Sequence, residues 1–438
     1  MAISRRSMIG GGAAGALTAL AANALAQEKG ASASLRPTQT ASDGRQQARS
    51  GSGYDMRDDL SPQRLTMAMW DAGYVLRHGP GGSWANHDRV LDEAVERAYN
   101  TLRIDAFPQW VDLSKPERIL EWPDPKQPYM PWNWNSAVKG PIGAWMIEFM
   151  EKLLKRPSLH YTLSAWWFMP GMPGVPPVPP VLRKPATTLE GAEMWAVMLR
   201  NWKKRFGFDR LLYVDIANET PFFFPDIRER MKKETGQDYA EDGPALTPAQ
   251  IAFFADEFNK PLALLRREFP ELRFTTSIHA DLRWLDVPLE LDCLDVHFYL
   301  DTDPRWNDRT RFAEFISKNM FEKDTWFAEF SDRAKQTASA MEPMLRARQR
   351  YKMEEFAAWG ARRGAPLTTT EAWSSWFYID HPKLDWGWLL DWSKRSCDDA
   401  IACGFWGWTP HNYAQPQFAN WKDVNWHRTL NERFLNAR

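Results

Sequence analysis

Glu219 and Glu371 each close an apolar run: LLYVDIANE ends on Glu219, and PLTTTEAW delivers Glu371 after three threonines. Two carboxyl groups facing each other can break a glycosidic bond, one donating a proton to the leaving oxygen while the other attacks the anomeric carbon. The neighbouring residues suit that chemistry. Asn218 precedes Glu219, Arg103 and Asp105 stand two apart in TLRIDAF, and His297 and Tyr299 stand two apart in CLDVHFYL, so each spaced pair shares one face of a strand. Indoles accompany most of the runs. Trp70 and Asp71 end LTMAMWD, Trp166 and Trp167 end LHYTLSAWW, Trp373 follows Glu371, and Trp406 and Trp408 share a face of CGFWGW. With 24 Trp the chain carries more broad apolar ring faces than a core requires.

Each of these residues also has a packing role open to it. Asn218-Glu219 can cap a turn, Glu371 can form a structural ion pair with Arg103, and Arg103 and Asp105 can satisfy each other. His297 and Tyr299 can be satisfied core residues, and at least one of Trp406 and Trp408 is expected to pack in the core.

To act together these side chains need a scaffold that gathers strand ends. Short apolar runs alternate with helical patterns from Leu65 onward: LTMAMWD, TLRIDAF, LHYTLSAWW, LLYVDIANE, RFTTSIH, CLDVHFYL, PLTTTEAW and CGFWGW. That alternation implies parallel strands joined by right-handed crossovers, and eight units fit a single-domain α/β fold, a (β/α)8 TIM barrel over residues 61–438. Its C-terminal face would carry long loops, including the Pro-rich stretch 169–180. The pattern is weakest after the fifth run, where only a short LRWLDVP segment follows, and over 301–341, where charged and aromatic residues replace a clear helix.

The N-terminus places Arg5-Arg6 before a Gly/Ala/Leu run and small residues at Ala24 and Ala26, the pattern of a twin-arginine signal peptide over residues 1–26. Met8 stands where that pattern prefers Phe. A disordered linker is expected over 27–60, and a periplasmic or secreted location follows for the rest. Gly10, Gly12 and Gly15 have dinucleotide-loop spacing but follow no strand, and Asn218-Glu219-Thr220 matches a glycosylation acceptor by chance. Fifty-five basic against 56 acidic residues leave a net charge of −1, so nothing gathers nucleic acid or an anionic membrane. Cys293, Cys397 and Cys403 suit buried thiols, with a Cys397–Cys403 bridge left open.

The ordered set of Asn218-Glu219, Glu371, Arg103, His297-x-Tyr299 and the Trp of the eighth run resembles the clan A glycoside hydrolases. TMAMWDAGYVL and YNTLRIDAFPQW are similar to the bacterial cellulase-like barrel family within it, over about residues 61–430. The resemblance implies a retaining β-glycosidase with Glu219 as acid/base, kept protonated by partial desolvation and the charge opposite, and Glu371 as nucleophile, kept ionised by Arg103 and Tyr299. It implies that Asn218 binds the sugar 2-hydroxyl, that His297 fixes the network, and that Trp406 or Trp408 floors the reacting sugar. Trp70, Trp167 and Trp373 would add substrate contacts beside Asp105. No metal or organic cofactor is called for. The partner would be a carbohydrate, with no stable membrane insertion after signal removal. Cellulase relatives often end the third strand in a His pair, whereas Trp166-Trp167 stands here, so linkage preference does not carry over. Two other classes stay open: a carbohydrate-binding barrel without turnover, and a metal-assisted barrel hydrolase, although neither H-x-H nor H-E-x-x-H occurs.

Overall fold

The computed structural model describes residues 60–70, 72–122, 128–129, 138–167, 185–224, 226–240, 243–317 and 322–437. The leader, the linker up to residue 59, Asp71, the stretch 169–180 and residues 318–321 lie outside the described residues.

Nine strands form one parallel sheet: β1 (Leu65–Met69), β2 (Thr101–Asp105), β5 (His160–Ser164), β6 (Leu211–Asp215), β7 (Phe274–Thr275), β8 (Ile278–His279), β9 (Leu294–His297), β10 (Leu367–Thr368) and β11 (Gly407–Trp408). Their order is β7-β6-β5-β2-β1-β11-β10-β9-β8. The two ends of that order are consecutive halves of one crossing, β7 beside β6 and β8 beside β9, so the sheet closes into a (β/α)8 barrel. The fifth crossing is split for a chemical reason. Between its halves the Ser277 backbone N–H donates to Asp215 Oδ1 at 2.9 Å, and the Thr276 hydroxyl donates to the Ala217 carbonyl at 2.9 Å, so polar groups replace the ladder. An antiparallel pair outside the barrel, β3 (Leu120–Trp122) with β4 (Val138–Gly140), had no signal among the expected runs.

Local chemistry sets the helices. Thr187 caps Thr188–Phe206 by accepting from the Glu190 N–H, and Gly207, at φ 69°, ends it. Thr247 and Gln250 form a reciprocal capping box at the start of Pro248–Glu268. Two weak spots of the sequence pattern resolve differently. After the fifth crossing only the 3₁₀ turn Leu282–Asp286 forms, as the short segment suggested. Region 301–341, expected to lack a clear helix, contains Pro304–Thr310, Phe312–Ser317 and Phe327–Ala340. Asp303 caps the first of these, and Phe312, Phe315 and Phe330 pack on one another, so short-range capping and ring contacts supply what the interrupted periodicity did not show. All three cysteines are buried and free, which leaves Cys397 and Cys403 unbridged. No helix among the described residues is long and apolar enough to cross a membrane.

Candidate active site

The inner face of each strand is fixed by register. Met69 pairs with Arg103, and Arg103 with Thr162, so these positions share the barrel interior, and Ser164 follows on the same face. From β2, the Arg103 guanidinium reaches across the ring. One nitrogen donates to Glu371 Oε1 at 2.5 Å, and the other donates to Ser164 Oγ at 3.0 Å and to Asn218 Oδ1. Asn218 presents its Nδ2 group buried and without a hydrogen-bond partner among the described residues. A buried amide donor left unpaired costs on the order of 1–3 kcal/mol, which a bound acceptor would recover.

Glu371, just past β10, accepts on its second oxygen from the Tyr299 hydroxyl at 2.7 Å, and Asn412 Nδ2 donates to that hydroxyl at 2.6 Å. Burial and the neighbouring Glu371 charge hold the Tyr299 phenol well above its ordinary pKa, so it stays a donor. The Glu371 carboxylate is thus clamped between a permanent cation and a neutral hydroxyl.

Glu219 sits on different supports. Its backbone takes the left-handed conformation, φ 47°, and its N–H donates to Ser277 Oγ at 2.9 Å. Such a φ is unfavourable for a side-chain-bearing residue and is held here by neighbours on both sides. Two imidazoles converge on the same carboxyl oxygen, His297 Nδ1 at 2.8 Å and His279 Nε2 at 3.1 Å from Oε1. No hydrogen bond from the described residues reaches Oε2. Burial pushes the Glu219 carboxyl up, yet the charges and hydrogen bonds of His279 and His297 outweigh it and hold the group below its usual range. His297 moves the opposite way: burial lowers it, but Glu371, Glu219 and Asp295 raise it further. The desolvation expected to keep this carboxyl protonated is thus opposed by two imidazoles that the sequence did not place beside Glu219.

The proton itself can be traced. Thr370 Oγ1 donates to the Asp295 carboxylate at 2.9 Å, and so must accept from His297 Nε2, 3.2 Å away. With Nε2 carrying a hydrogen, one further proton lies between His297 Nδ1 and Glu219 Oε1, on the ring or on the carboxyl. Glu219, His297 and Glu371 each place an atom within 4.8 Å of the others. Those three could also hold a cation, but the Arg103 guanidinium already supplies positive charge at Glu371.

Of the residues singled out from sequence, Glu219, Glu371, Asn218, Arg103, His297 and Tyr299 come together. Asp105 stands at the edge of this group. It does not pair with Arg103; its oxygens accept from the Phe107 and Trp166 N–H groups at 2.7 and 3.1 Å, and burial pushes it up to about 7. It therefore positions the β2 and β5 ends, where a substrate contact was expected.

The five tryptophans expected to contact substrate pack against protein. Trp70 follows the inward Met69 and points away, edge-on to Trp84 at 4.5 Å with its N–H on the Ala414 carbonyl. Trp167 donates to the Ile216 carbonyl and packs on Phe224. Trp373 stacks on Phe298, the residue between inward His297 and Tyr299, and donates to the Thr409 carbonyl. Trp406 joins Leu65, Met67, Leu212, Tyr213 and Cys293 at the start of the strands, the end of the barrel away from the glutamates. In β11 the inward position is Gly407, paired with Leu65 and Thr368; a Cβ there would meet Thr368 Oγ1 at 2.4 Å and Met67 Cε at 2.7 Å. Trp408 consequently faces out, stacked on Phe434.

Two further polar residues stand in the site, His279 and Asp215. His279 ends the fifth crossing, and its terminal place in RFTTSIH was the available signal. Asp215 precedes Glu219 on the inner face and collects both Ser164 and Ser277 hydroxyls at 2.9 Å. Burial pushes Asp215 up to about 6, while Arg103 opposes that rise. At the rim, half-buried Phe222 stacks on His279 with centroids 5.1 Å apart, and half-buried Phe223 lies against Trp166. Of the two, Phe222 is tied to Glu219, its N–H donating to the Glu219 carbonyl at 3.0 Å and its ring lying on His279.

A candidate glycoside hydrolase from Parabacteroides distasonis ATCC 8503 is similar in structure, with a TM-score of 0.71 at 22% identity over 85% of this chain and 94% of that one. A GH5_18 protein from Streptomyces cattleya in complex with GlcNAc gives a TM-score of 0.47 at 11% identity, covering 86% of this chain and 81% of that one. A glycoside hydrolase family 5 mannosidase from Rhizomucor miehei gives 0.44 at 11% identity, covering 85% and 94%. No protein with a curated function matches the sequence. Residues 67–435 match the family described as sugar-binding cellulase-like. The chain belongs to the cellulase-like family, with a glycoside hydrolase-type barrel.

Proposed function

We propose that this protein is a retaining β-glycoside hydrolase that cleaves a poly- or oligosaccharide through Glu371 and Glu219. The observation that carries the proposal is that Glu219 and Glu371 each bring one carboxyl oxygen to within 4.8 Å of the other, with His297 Nδ1 2.8 Å from Glu219 Oε1 and 3.9 Å from Glu371 Oε1. Retaining sites hold their carboxyls ~5–5.5 Å apart, whereas inverting sites need ~6.5–9.5 Å to admit a water. In the first step a Glu371 oxygen bonds to the anomeric carbon, the glycosidic C–O bond breaks, and the proton held between His297 and Glu219 passes through Glu219 to the leaving oxygen. Water then attacks the anomeric carbon, Glu219 takes its proton, and the ester to Glu371 breaks. The unpaired Asn218 Nδ2 is placed to bind the sugar 2-hydroxyl, an interaction that strengthens as charge develops at the anomeric carbon.

NMR of the first-formed product tests the stereochemistry: the β-anomer must appear before mutarotation, and initial α-anomer would refute double displacement. A second reading, a carbohydrate-binding barrel without turnover, is favoured by the complete burial of Glu371. It predicts glycan binding with no cleavage across a panel of aryl glycosides and polysaccharides, and binding unaffected by Glu371→Gln. The Arg5-Arg6 pattern supports export to the periplasm or the exterior, and cell fractionation with Arg5 and Arg6 changed to Lys should then retain the protein in the cytoplasm.

A further inference from the structure

Outside the sheet, His78, His87 and Glu148 meet between the segment that follows β1 and the helix Ile142–Leu154. His78 Nε2 lies 3.5 Å from Glu148 Oε2, and His87 Nδ1 lies 3.7 Å from Glu148 Oε1. The two imidazoles stack with centroids 4.0 Å apart. Backbone carbonyls determine how the rings are protonated. His78 Nδ1 donates to the Trp84 carbonyl at 3.0 Å, and His87 Nε2 donates to the Tyr74 carbonyl at 2.9 Å; a carbonyl only accepts, so these nitrogens carry the hydrogens. In neutral rings the other two nitrogens are bare lone pairs turned toward a carboxylate, which also only accepts. His87 Nδ1 is fully buried and has no hydrogen-bond partner among the described residues. Protonating both rings would stack two cations face to face. Three converging acceptors of this kind call for one cation among them.

We propose that His78 Nε2, His87 Nδ1 and Glu148 form a binding site for one divalent transition-metal ion of the zinc class, with its remaining position open to solvent. Zinc bonds of ~2.0–2.2 Å in a tetrahedron set neighbouring ligand atoms roughly 3.4 Å apart. His78 Nε2 and His87 Nδ1 lie 3.5 and 3.7 Å from the two Glu148 oxygens, and the three ligand atoms fall within 4.8 Å of one another, so an ion would draw them together by turning the stacked rings apart. Each histidine gives its far N–H to a backbone carbonyl, the support that fixes the tautomer of a metal-ligating imidazole. Glu148 is 41% exposed at its side chain and provides the path of entry. Lys152 Nζ, 2.8 Å from Glu148 Oε1, also lies 3.1 Å from Asp88 Oδ2, so an arriving ion displaces it onto a carboxylate already in reach. The ion would fasten the segment after β1 to the helix behind β5. Between the two histidines, Trp84 donates to Gln417 Oε1 at 3.0 Å and so carries that rigidity toward the loop after β11.

The protein is stripped with chelator, dialysed against micromolar zinc and assayed for retained metal. Wild type should keep about one equivalent, lost in both His78→Ala and Glu148→Gln and kept in Glu371→Gln; cobalt should give the intense visible bands of a four-coordinate site. Zinc should also raise the melting temperature of wild type and leave that of His78→Ala unchanged. Retention of no zinc by wild type overturns the proposal. So does an equivalent that survives in both His78→Ala and Glu148→Gln, or one lost in Glu371→Gln but kept in His78→Ala, which would place the ion at the barrel mouth. Both side chains are partly exposed, and circular dichroism confirms that each variant is folded.

Discussion

The two glutamates at the barrel mouth are held in opposite ways. Glu371 rests against Arg103, which never releases its proton, and Tyr299, which burial keeps neutral. Glu219 rests against two histidines, whose side-chain type is the one able to pass a proton in the physiological range. One carboxyl therefore meets a permanent cation and a hydroxyl donor, while the other belongs to a group through which a proton can move. A nucleophile needs the first arrangement and an acid/base the second.

The sharpest way to break this contrast is Glu371→Gln. It should reduce kcat by roughly four orders of magnitude or more on any aryl glycoside that the wild type cleaves, because a neutral amide cannot form the glycosyl ester. Activity within tenfold of wild type would remove Glu371 from the reaction. Glu219→Ala should follow, with a loss of about 10²–10⁴ on natural glycosides and much less in bond cleavage of aryl substrates with good leaving groups. A series of leaving groups measures this, and a uniform loss across the series would contradict an acid role.

His279→Gln sharpens the comparison through pH. Removing one imidazole should raise the Glu219 carboxyl and, because the proton donated to the leaving oxygen leaves from Glu219, move the basic limb of kcat/KM upward by about 1 pH unit. Stability follows with a defined sign. Glu219 has a depressed folded pKa, so its contribution is present above its unfolded value and fades as pH falls toward the folded one. His297 has a raised folded pKa, so its contribution is complete below its unfolded value and is lost as pH rises through the folded one. Urea midpoints should consequently peak between the two unfolded values, and His279→Gln should shrink the loss on the acid side. The smallest effect on activity is expected from Trp408→Phe. It should leave KM within about twofold while lowering stability by about 1–3 kcal/mol, since the ring packs on Phe434 and touches no sugar site; a KM raised tenfold would return Trp408 to the substrate.

The strand count, the crossovers and both glutamates were legible because period-two apolar runs followed by capped helices leave little freedom, and a carboxyl ending such a run is conspicuous. The tryptophans misled because spacing fixes which residues share a face and says nothing about which face is inward. In β11 a glycine holds the inward place, where a Cβ would strike Thr368 and Met67, and both neighbouring indoles were turned elsewhere. His279 was overlooked for a related reason, since its partner Glu219 arrives from a different strand through the bridge Thr220 to Ile278.

By itself, the sequence determined a parallel eight-crossing barrel and placed Asn218, Glu219 and Glu371 at strand ends, because those features follow from local periodicity and turn chemistry. Only the tertiary structure decided the electrostatics. Arg103 and Glu371 are 268 positions apart, and Glu219 and His297 are 78 apart, yet each pair closes to hydrogen-bond distance once the ring forms. The charge that each carboxyl carries depends on those distant partners, and no spacing along the chain records them.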